Sequence, residues 1–217
     1  LIREPLEGAI FLGRITAVVA SLDAAFVDIG LDQEAFLPLK DLPERFLEKR
    51  LKNGMELLVQ LKSEGGRYKG PKATGKIELQ GRYLVLMPEM KQKSVSKKLR
   101  DPEKRQSLMT LVNASVGDLG YIIRTEGALA EPEVVVEEAR RLKVAWDQLQ
   151  RTYVTVMQPQ CVDPGLSAIQ RLLLRQLTVP GTVLTLADPE EAGEWVPFFK
   201  DYQIEAGLAA LKPSREK

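Results

Sequence analysis

The first 80 residues contain short strand-like segments that Gly and Pro residues interrupt at close intervals. Each segment is rich in β-branched and apolar residues. The five segments lie near residues 10–18, 25–29, 35–38, 57–61 and 74–79. Five short strands in about 75 residues are typical of a small closed barrel such as the OB-fold. We therefore predict an α+β chain with a five-stranded OB-type barrel over residues 8–80.

The pattern of predicted elements changes near residue 80 and again near residue 160. Between these points we expect strands at 83–87 and 121–125 and helices at 101–112 and 132–150. A basic loop is expected at 91–105. The last part predicts a helix from Asp163 to Leu177, a strand at 183–186 and a helix that opens at Asp188. We therefore predict a mixed α/β region over 81–160 and an α/β segment over 161–217.

The predicted helix at 132–150 carries a single apolar stripe. Its members are Val135, Ala139, Leu142, Trp146 and Leu149. This spacing is that of one face of an amphipathic helix. The stripe would face either the core or a partner helix, and we expect the core.

Charge is distributed unevenly along the chain, although the net charge at pH 7 is only +1. Between Lys62 and Arg105 there are thirteen basic and five acidic residues, so this stretch carries +8 and the remainder −7. A basic stretch inside an acidic chain is typical of a phosphate-binding surface. The alternative is a solvated face whose lysines serve only solubility.

Several classes of protein are excluded or disfavoured by what the sequence lacks. It has no histidine, which excludes histidine triads, histidine-ligated zinc and histidine acid–base catalysis. Its one cysteine, Cys161, cannot form an internal disulfide, so we expect a reducing, cytoplasmic location. No apolar run approaches the length of a membrane span, and we expect no membrane contact.

Two aromatic residues, Phe26 and Phe36, lie ten residues apart on consecutive predicted strands of the barrel. Bases stack on aromatic faces whatever their sequence, so exposed Phe residues beside lysines would bind a single-stranded nucleic acid. The basic loop that follows the fourth strand offers Arg67 and Lys69 as phosphate contacts among glycines. The pattern leaves open that both Phe residues lie in the barrel core.

Arg124 and Thr125 follow a predicted strand directly and place a guanidinium beside a hydroxyl. Such a pair can hold a terminal phosphate through charge-assisted hydrogen bonds. The same pair is equally consistent with an ordinary turn that carries a surface arginine.

Candidates for catalysis are few. Metal-dependent cleavage needs converging carboxylates, and the adjacent acids of Glu137-Glu138 and Glu190-Glu191 do not converge on a helix. We interpret both pairs as solvated faces. Cys161 has no histidine partner that could activate its thiol. We therefore assign no catalytic residue and no metal ligand.

Several motifs, taken in order, resemble the ribonuclease E/G family of bacterial endoribonucleases. Its RNA-binding barrel is similar to Gly13-Arg14-Ile15-Thr16, Ala24-Ala25-Phe26-Val27-Asp28-Ile29-Gly30 and Ala35-Phe36-Leu37-Pro38. Its 5′-end sensor is similar to Gly81-Arg82-Tyr83-Leu84-Val85-Leu86-Met87-Pro88, Val95-Ser96-Lys97-Lys98 and Ile122-Ile123-Arg124-Thr125. The match in order and spacing spans residues 8–150, and residues 160–217 resemble the family's RNase H-like part in pattern only.

The resemblance implies a role for each matching residue. Phe26 and Phe36 would stack on RNA bases, while Lys69 and its loop would hold the backbone. A 5′-monophosphate would be bound by Gly81, Val85, Lys97, Arg124 and Thr125. The family usually has arginine where this chain has Lys97, and lysine lacks the bidentate fork of arginine. We therefore expect weaker discrimination of the 5′ end.

The family's nuclease domain carries two magnesium-binding aspartates and is followed by a cysteine pair that shares zinc between subunits. Neither has a counterpart in these 217 residues. We therefore expect no cofactor in this chain, with magnesium belonging to the absent nuclease domain, and no cleavage by the chain alone. The resemblance implies the single-strand RNA-binding portion of such an enzyme, or a shortened relative, in RNA processing and decay.

Two alternatives stay open at this point. One is a non-enzymatic regulator or ribosome/RNA assembly factor that uses the barrel on structured or ribosomal RNA and the helical tail on a protein. The other is a complete nuclease whose metal site has an unfamiliar arrangement. A homo-oligomer through the helical tail is also open.

Overall fold

The computed structural model describes residues 6–47, 51–66 and 69–176, together with Trp195, Phe198 and Phe199. The chain divides into two compact units after Ala168. The loop residue Arg67, the predicted strand at 183–186, and the predicted helix from Asp188 with its acidic pair lie outside the described residues.

Five strands form the closed barrel that the strand pattern predicts. They are β1 (Ile10–Val19), β2 (Ala24–Asp28), β3 (Ala35–Pro38), β4 (Glu56–Ser63) and β5 (Lys72–Thr74). Their hydrogen-bonded order is β1-β2-β3-β5-β4, and β4 also pairs with β1, which closes the barrel. All these pairs are antiparallel except that of β3 with β5. A single helical turn, α1 (Glu44–Leu47), lies between β3 and β4.

The long strand β1 makes closure possible because it pairs along both of its edges. Its first half pairs with β4 and its second half with β2. A register shift between Ile15 and Ala17 marks a bulge, which bends the strand and increases its twist. At Gly13 an added Cβ would lie 2.5 Å from a methyl group of Val27, so a larger residue here would force the Val27 side chain to shift.

The barrel interior is filled by residues that alternate along the strands, as expected for a pleated sheet with one buried face. They include Phe11, Ile15, Ala25, Val27, Ala35, Leu37, Leu57, Val59, Leu61 and Ala73. This regular alternation is what leaves the other face of β2 and β3 available for binding.

The predicted fifth strand at 74–79 is wrong in its bounds. In the structure β5 ends at Thr74, and the next strand belongs to a second sheet. The chain bends between them because Gly75 N donates to the carbonyl of Asp41 at 2.9 Å. The buried Gln60 side chain then donates to the carbonyl of Glu78 at 3.0 Å and accepts from its amide at 2.9 Å.

The second sheet contains β6 (Leu79–Gln80), β7 (Leu84–Met87), β8 (Lys93–Val95) and β9 (Gly120–Ile123) in the order β6-β7-β9-β8. Between β8 and β9 lies α2 (Pro102–Val116), and after β9 come α3 (Thr125–Leu129) and α4 (Pro132–Thr155). Residues of this sheet and of the two long helices form one apolar cluster.

The two long helices begin as their sequences predict. The carboxylate of Asp101 accepts from the amides of Glu103 and Lys104 at 2.9 and 3.2 Å and caps α2. Pro132 occupies the first turn of α4. The apolar stripe of α4 is buried along its whole length, which confirms that it faces the core.

The region near residue 163 differs from the prediction of a helix. The structure has a strand, β10 (Gln160–Asp163), which pairs antiparallel with β1, and the helix α5 (Ala168–Gln176) begins only later. The amide of Gly165 donates to the side chain of Asp163 at 2.7 Å, and Gly165 has a φ of +66°. This turn separates the strand from the helix.

Across the residues that the structure describes, no helix combines the length and the apolar character that a membrane crossing requires.

Candidate nucleic-acid interface

Phe26 of β2 and Phe36 of β3 lie directly opposite each other in the antiparallel pair. Their ring centroids are 5.9 Å apart and the ring planes meet at 71°, an edge-to-face contact. Both side chains are half-buried, whereas their neighbours along the strands, Ala25, Val27, Ala35 and Leu37, are fully buried. The two rings therefore lie on the outside of the barrel and not in its core.

The parallel pair of β3 and β5 places a lysine beside this aromatic pair. Lys72 is the register partner of Phe36, and the amide of Phe36 donates to the carbonyl of Pro71 at 2.8 Å. Lys72 is exposed. Sequence reasoning missed it, because no local signal indicates which strand β5 joins.

The loop before β5 carries Lys69 on its exposed side. Gly66 and Lys69 bond to each other through both of their main-chain groups, at 2.7 and 3.1 Å, so the loop closes tightly. Gly70 lies against the turn before β3, where an added Cβ would be 3.3 Å from the carbonyl of Glu34. We call Phe26, Phe36, Lys69 and Lys72 the aromatic face.

The second predicted group of residues comes together at the ends of β7 and β9. Val85 of β7 pairs with Ile122 of β9, and Arg124 and Thr125 directly follow β9. The amide of Arg124 donates to the carbonyl of Tyr83 at 2.8 Å. The guanidinium of Arg124 donates to the side-chain oxygen of Gln80, which precedes Gly81.

The loop after β8 brings Lys97 to the same place. The amide of Ser96 donates to the carbonyl of Ile123 at 2.9 Å, and the hydroxyls of Ser96 and Thr125 are 3.0 Å apart. Lys97 is the next residue and is exposed. We call Gly81, Val85, Lys97, Arg124 and Thr125 the Arg124 cluster.

The basic stretch from Lys62 to Arg105 divides into two kinds of cation. Some ammonium and guanidinium groups donate to carbonyl oxygens of the protein itself: Lys76 to Lys40 at 2.7 Å, Lys93 to Gly117 at 2.8 Å, and Arg105 to Ser96 at 2.9 Å. Others, including Lys69, Lys72, Lys97, Lys98 and Arg100, are exposed. Part of the basic stretch therefore supports the fold, and only its exposed cations are available to contact a phosphate.

One acidic residue differs from its sequence interpretation. Glu138 was expected on a solvated face, but it is 4% exposed and its carboxylate accepts hydrogen bonds from the amides of Arg82, Tyr83 and Leu84. Glu137 is exposed. The signal was present in the sequence: position 138 lies three residues after Val135 and four before Leu142, on the buried stripe.

The remaining titratable groups of the described residues include the Cys161 thiol and the Asp28 carboxylate. Among residues 6–47, 51–66, 69–176, 195, 198 and 199 there is no group of three Cys, Asp or Glu side chains that could hold a metal ion. The surrounding protein partly desolvates the Cys161 thiol and raises its pKa, which makes it a poorer nucleophile at neutral pH. The carboxylate of Asp28 accepts from the amide of Gly30 at 2.9 Å, as in an ordinary turn.

Comparison with known proteins gives two family matches. A model described as the Ribonuclease E/G family matches residues 78–210, which is well over half of the chain. A model described as the S1 RNA binding domain matches residues 4–64.

The relatives of this chain include ribonucleases of both names. Ribonuclease E of Synechocystis sp. is 31% identical over 175 residues, which cover 76% of this chain and 26% of the relative. Ribonuclease G of Haemophilus influenzae is 33% identical over 160 residues, covering 66% of the chain and 33% of the relative. Ribonuclease G of Escherichia coli is 30% identical over 163 residues, which cover 68% of this chain and 33% of the relative.

The chain thus spans about a quarter to a third of the length of these relatives. The matches confirm the resemblance to the family that the motifs indicate. Because one family match covers most of the chain and the other covers the first four strands of its barrel, this protein belongs to the ribonuclease E/G family and carries an S1 RNA-binding domain.

Proposed function

We propose that this chain binds single-stranded RNA across the aromatic face and recognises a 5′-monophosphate at the Arg124 cluster. In this proposal it is the RNA-binding portion of a ribonuclease E/G-type endoribonuclease that acts in RNA processing and decay. The observation that carries the proposal is the outward-facing pair of Phe26 and Phe36 on a barrel that matches an S1 RNA-binding domain.

Stacking on the aromatic face favours single strands over duplexes. An unpaired base can leave its stack and lie on an exposed ring, which contributes about 1–3 kcal/mol per base. Duplex RNA keeps its bases inside the helix and is bound mostly by shape. The half-exposed rings of Phe26 and Phe36 therefore suit a flexible strand.

The exposed lysines of the aromatic face would neutralise backbone phosphates. Lys72 lies beside Phe36 in the sheet, and Lys69 lies on the adjoining loop. Binding through such contacts releases condensed counterions, so the affinity falls as salt rises.

A terminal monophosphate carries more negative charge than an internal phosphodiester and more free oxygens. The Arg124 cluster offers a guanidinium, a hydroxyl and an ammonium on neighbouring segments. Charge-assisted hydrogen bonds from such groups are about twice as strong as those between neutral groups. This combination supports recognition of a 5′-monophosphate.

The RNA-binding part of the proposal is tested by titrating the protein with a short fluorescent RNA, single-stranded or annealed to its complement, over a series of salt concentrations. We expect tighter binding of the single strand and a linear fall of log K with log salt. Equal affinities for both forms, or affinity that does not change with salt, would contradict it.

The 5′-end part is tested with two RNAs of the same sequence, one with a 5′-monophosphate and one with a 5′-hydroxyl. We expect Arg124→Ala to remove the preference for the monophosphate, since hydrogen bonds to charged groups contribute about 1.5–3 kcal/mol. Arg140→Ala, which removes an exposed arginine of α4, is the matched control. A preference that survives in Arg124→Ala would remove the assignment.

Two further expectations belong to this proposal. The single cysteine, which is exposed and unpaired, supports a reducing cytoplasmic location. The second unit contains the exposed apolar residues Ile169 and Leu172 on α5, which support a contact of the helical tail with a protein or a second copy.

A further inference from the structure

A buried carboxylate supports the turn that joins β6 to β7. Oε1 of Glu138 accepts from the amide of Arg82 at 2.7 Å, and Oε2 accepts from Tyr83 at 2.7 Å and from Leu84 at 2.9 Å. The guanidinium of Arg141 lies 3.5 Å from Oε1. These partners offset the cost of burying a charge, which would otherwise be several kcal/mol.

The turn is built to fit this carboxylate. The amide of Gly81 donates to the carbonyl of Leu84 at 2.8 Å, which brings the ends of the turn together. An added Cβ on Gly81 would lie 2.5 Å from the carboxyl carbon of Glu138. Glycine at this position is therefore required by the approach of Glu138 as well as by the turn.

The same turn holds Arg124 in two places. Its main-chain amide donates to the carbonyl of Tyr83, whose own amide donates to Glu138. Its guanidinium donates to the side chain of Gln80, next to Gly81. A chain of hydrogen bonds thus connects the buried carboxylate on α4 to the arginine at the start of α3.

We infer that Glu138 is a positioning residue for 5′-end recognition: it holds the turn at 81–84 so that Val85 and Arg124 keep the geometry of the Arg124 cluster. This inference rests on the proposed function. It also assigns the amides of Arg82, Tyr83 and Leu84 to an internal anion, so a bound phosphate would be held by the side chains of Lys97, Arg124 and Thr125 and not by these three amides.

Charge and geometry make opposite predictions for the loss of this carboxylate. If its negative charge acted directly on a bound phosphate, its removal would strengthen binding of the 5′-monophosphate. Three amide dipoles and the guanidinium of Arg141 already balance that charge. We therefore expect the loss of geometry to dominate and the preference to fall.

The experiment compares Glu138→Gln with Glu137→Gln, its exposed neighbour on the same helix. The affinities are measured for one single-stranded RNA with a 5′-monophosphate or a 5′-hydroxyl. We expect Glu138→Gln to lower the preference about tenfold, by analogy with the lower end of the cost of losing an outer-shell partner at metal sites. Its affinity for the 5′-hydroxyl RNA should stay unchanged, and Glu137→Gln should match the wild type. A purely structural role would lower the melting temperature and leave the preference intact.

If Glu138→Gln does not fold, Glu138→Asp takes its place, because the shorter carboxylate cannot reach all three amides. A folded variant of either kind with the wild-type preference for the 5′-monophosphate, or with a stronger one, overturns the inference. The result for Arg124→Ala then still decides the proposed function separately. A wild-type protein with no preference for the 5′-monophosphate overturns both.

Discussion

The aromatic face and the Arg124 cluster are both proposed to bind RNA, but the fold builds them in different ways. Phe26, Phe36 and Lys72 are cross-strand neighbours, so the pleat of one sheet is enough to orient them. The Arg124 cluster takes residues from four segments, which side-chain and main-chain hydrogen bonds hold together.

This difference has consequences for how substitutions act. On a regular sheet, a change removes the side chain concerned and leaves its neighbours in place. In a cluster assembled from turns, a change in a supporting residue moves others, because residues in one hydrogen-bond network are coupled. Substitutions can therefore test whether the two regions behave independently.

The largest effect is expected for Phe26→Ala combined with Phe36→Ala. Loss of both rings should lower the affinity for single-stranded RNA at least about 30-fold, since each stacked base contributes about 1–3 kcal/mol. Fluorescence anisotropy at constant salt measures this. The preference for a 5′-monophosphate should remain, because the Arg124 cluster is untouched.

The ring-retaining pair Phe26→Tyr and Phe36→Tyr is the matched control and should bind nearly as well as the wild type. A folded double alanine variant that binds RNA within threefold of the wild type would contradict the role of the aromatic face. Loss of the 5′-end preference in the same variant would instead show that the two regions are coupled.

The next effect is expected for Gly81→Ala. Its Cβ would lie 2.5 Å from the carboxylate of Glu138 and 2.6 Å from the carbonyl of Leu84. We expect a loss of about 1–3 kcal/mol in the free energy of unfolding, the usual cost of overpacking, together with a weaker 5′-end preference. Urea unfolding and the two RNAs measure the two effects.

Gly66→Ala is the control for that substitution. An added Cβ on Gly66 meets no atom within 4 Å, and the residue does not have a positive φ. Its stability should stay close to that of the wild type. Equal stabilities for both alanine variants would mean that the turn at 81–84 adapts, and the coupling proposed for the cluster would then be wrong.

The two regions also differ in how far the sequence alone predicts them. The barrel follows from period-two alternation and from Gly and Pro positions, all of which are local. The same pattern leaves open whether Phe26 and Phe36 face outward, which only the structure decides. The bounds of β5 and the strand β10 were missed, since both depend on bonds to distant residues such as Asp41 and β1. Lys72 was missed for the same reason, because its partner Phe36 lies in a parallel strand.

Within the Arg124 cluster, Arg124 and Thr125 are candidates from the residues alone, whereas Gly81, Val85 and Lys97 were predicted only through the family resemblance. Nothing in the spacing of Gly81, Lys97 and Arg124 indicates that they meet. Glu138 was misinterpreted because the adjacent Glu137 suggested a solvated pair, although only position 138 lies on the buried stripe of α4. The helical spacing of position 138 from Val135 and Leu142 predicts its burial correctly.

A smaller effect is expected for Lys72→Ala, which tests whether the aromatic face extends to β5. Loss of one phosphate contact should weaken RNA binding a few-fold and lower the slope of log K against log salt by roughly 1. Lys143→Ala removes the same charge from α4, where the ammonium pairs with Asp147 at 2.6 Å, and is the control. Identical salt slopes for Lys72→Ala and the wild type would exclude Lys72 from the interface.

The smallest effect concerns an ion pair between the barrel and the second sheet. Arg45 of α1 pairs at 2.5 Å with Glu89, which follows β7, and the side chain of Glu89 is 9% exposed. Burial raises the pKa of Glu89 above its ordinary value of 4.5, while the Arg45 guanidinium acts in the opposite direction. The folded protein therefore binds this proton more tightly than the unfolded chain does.

Between pH 4.5 and the raised pKa of Glu89, the unfolded state binds fewer protons than the native state. The free energy of unfolding therefore falls as the pH rises through this range. Relative to the wild type, Glu89→Gln should gain stability across that range, by less than about 1 kcal/mol because Arg45 is exposed. Arg45→Ala should steepen the fall, since it removes the group that opposes burial. Urea unfolding over a pH series measures the stability of both variants. If Glu89→Gln instead loses stability relative to the wild type as the pH rises, the ion pair with Arg45 outweighs the burial of Glu89.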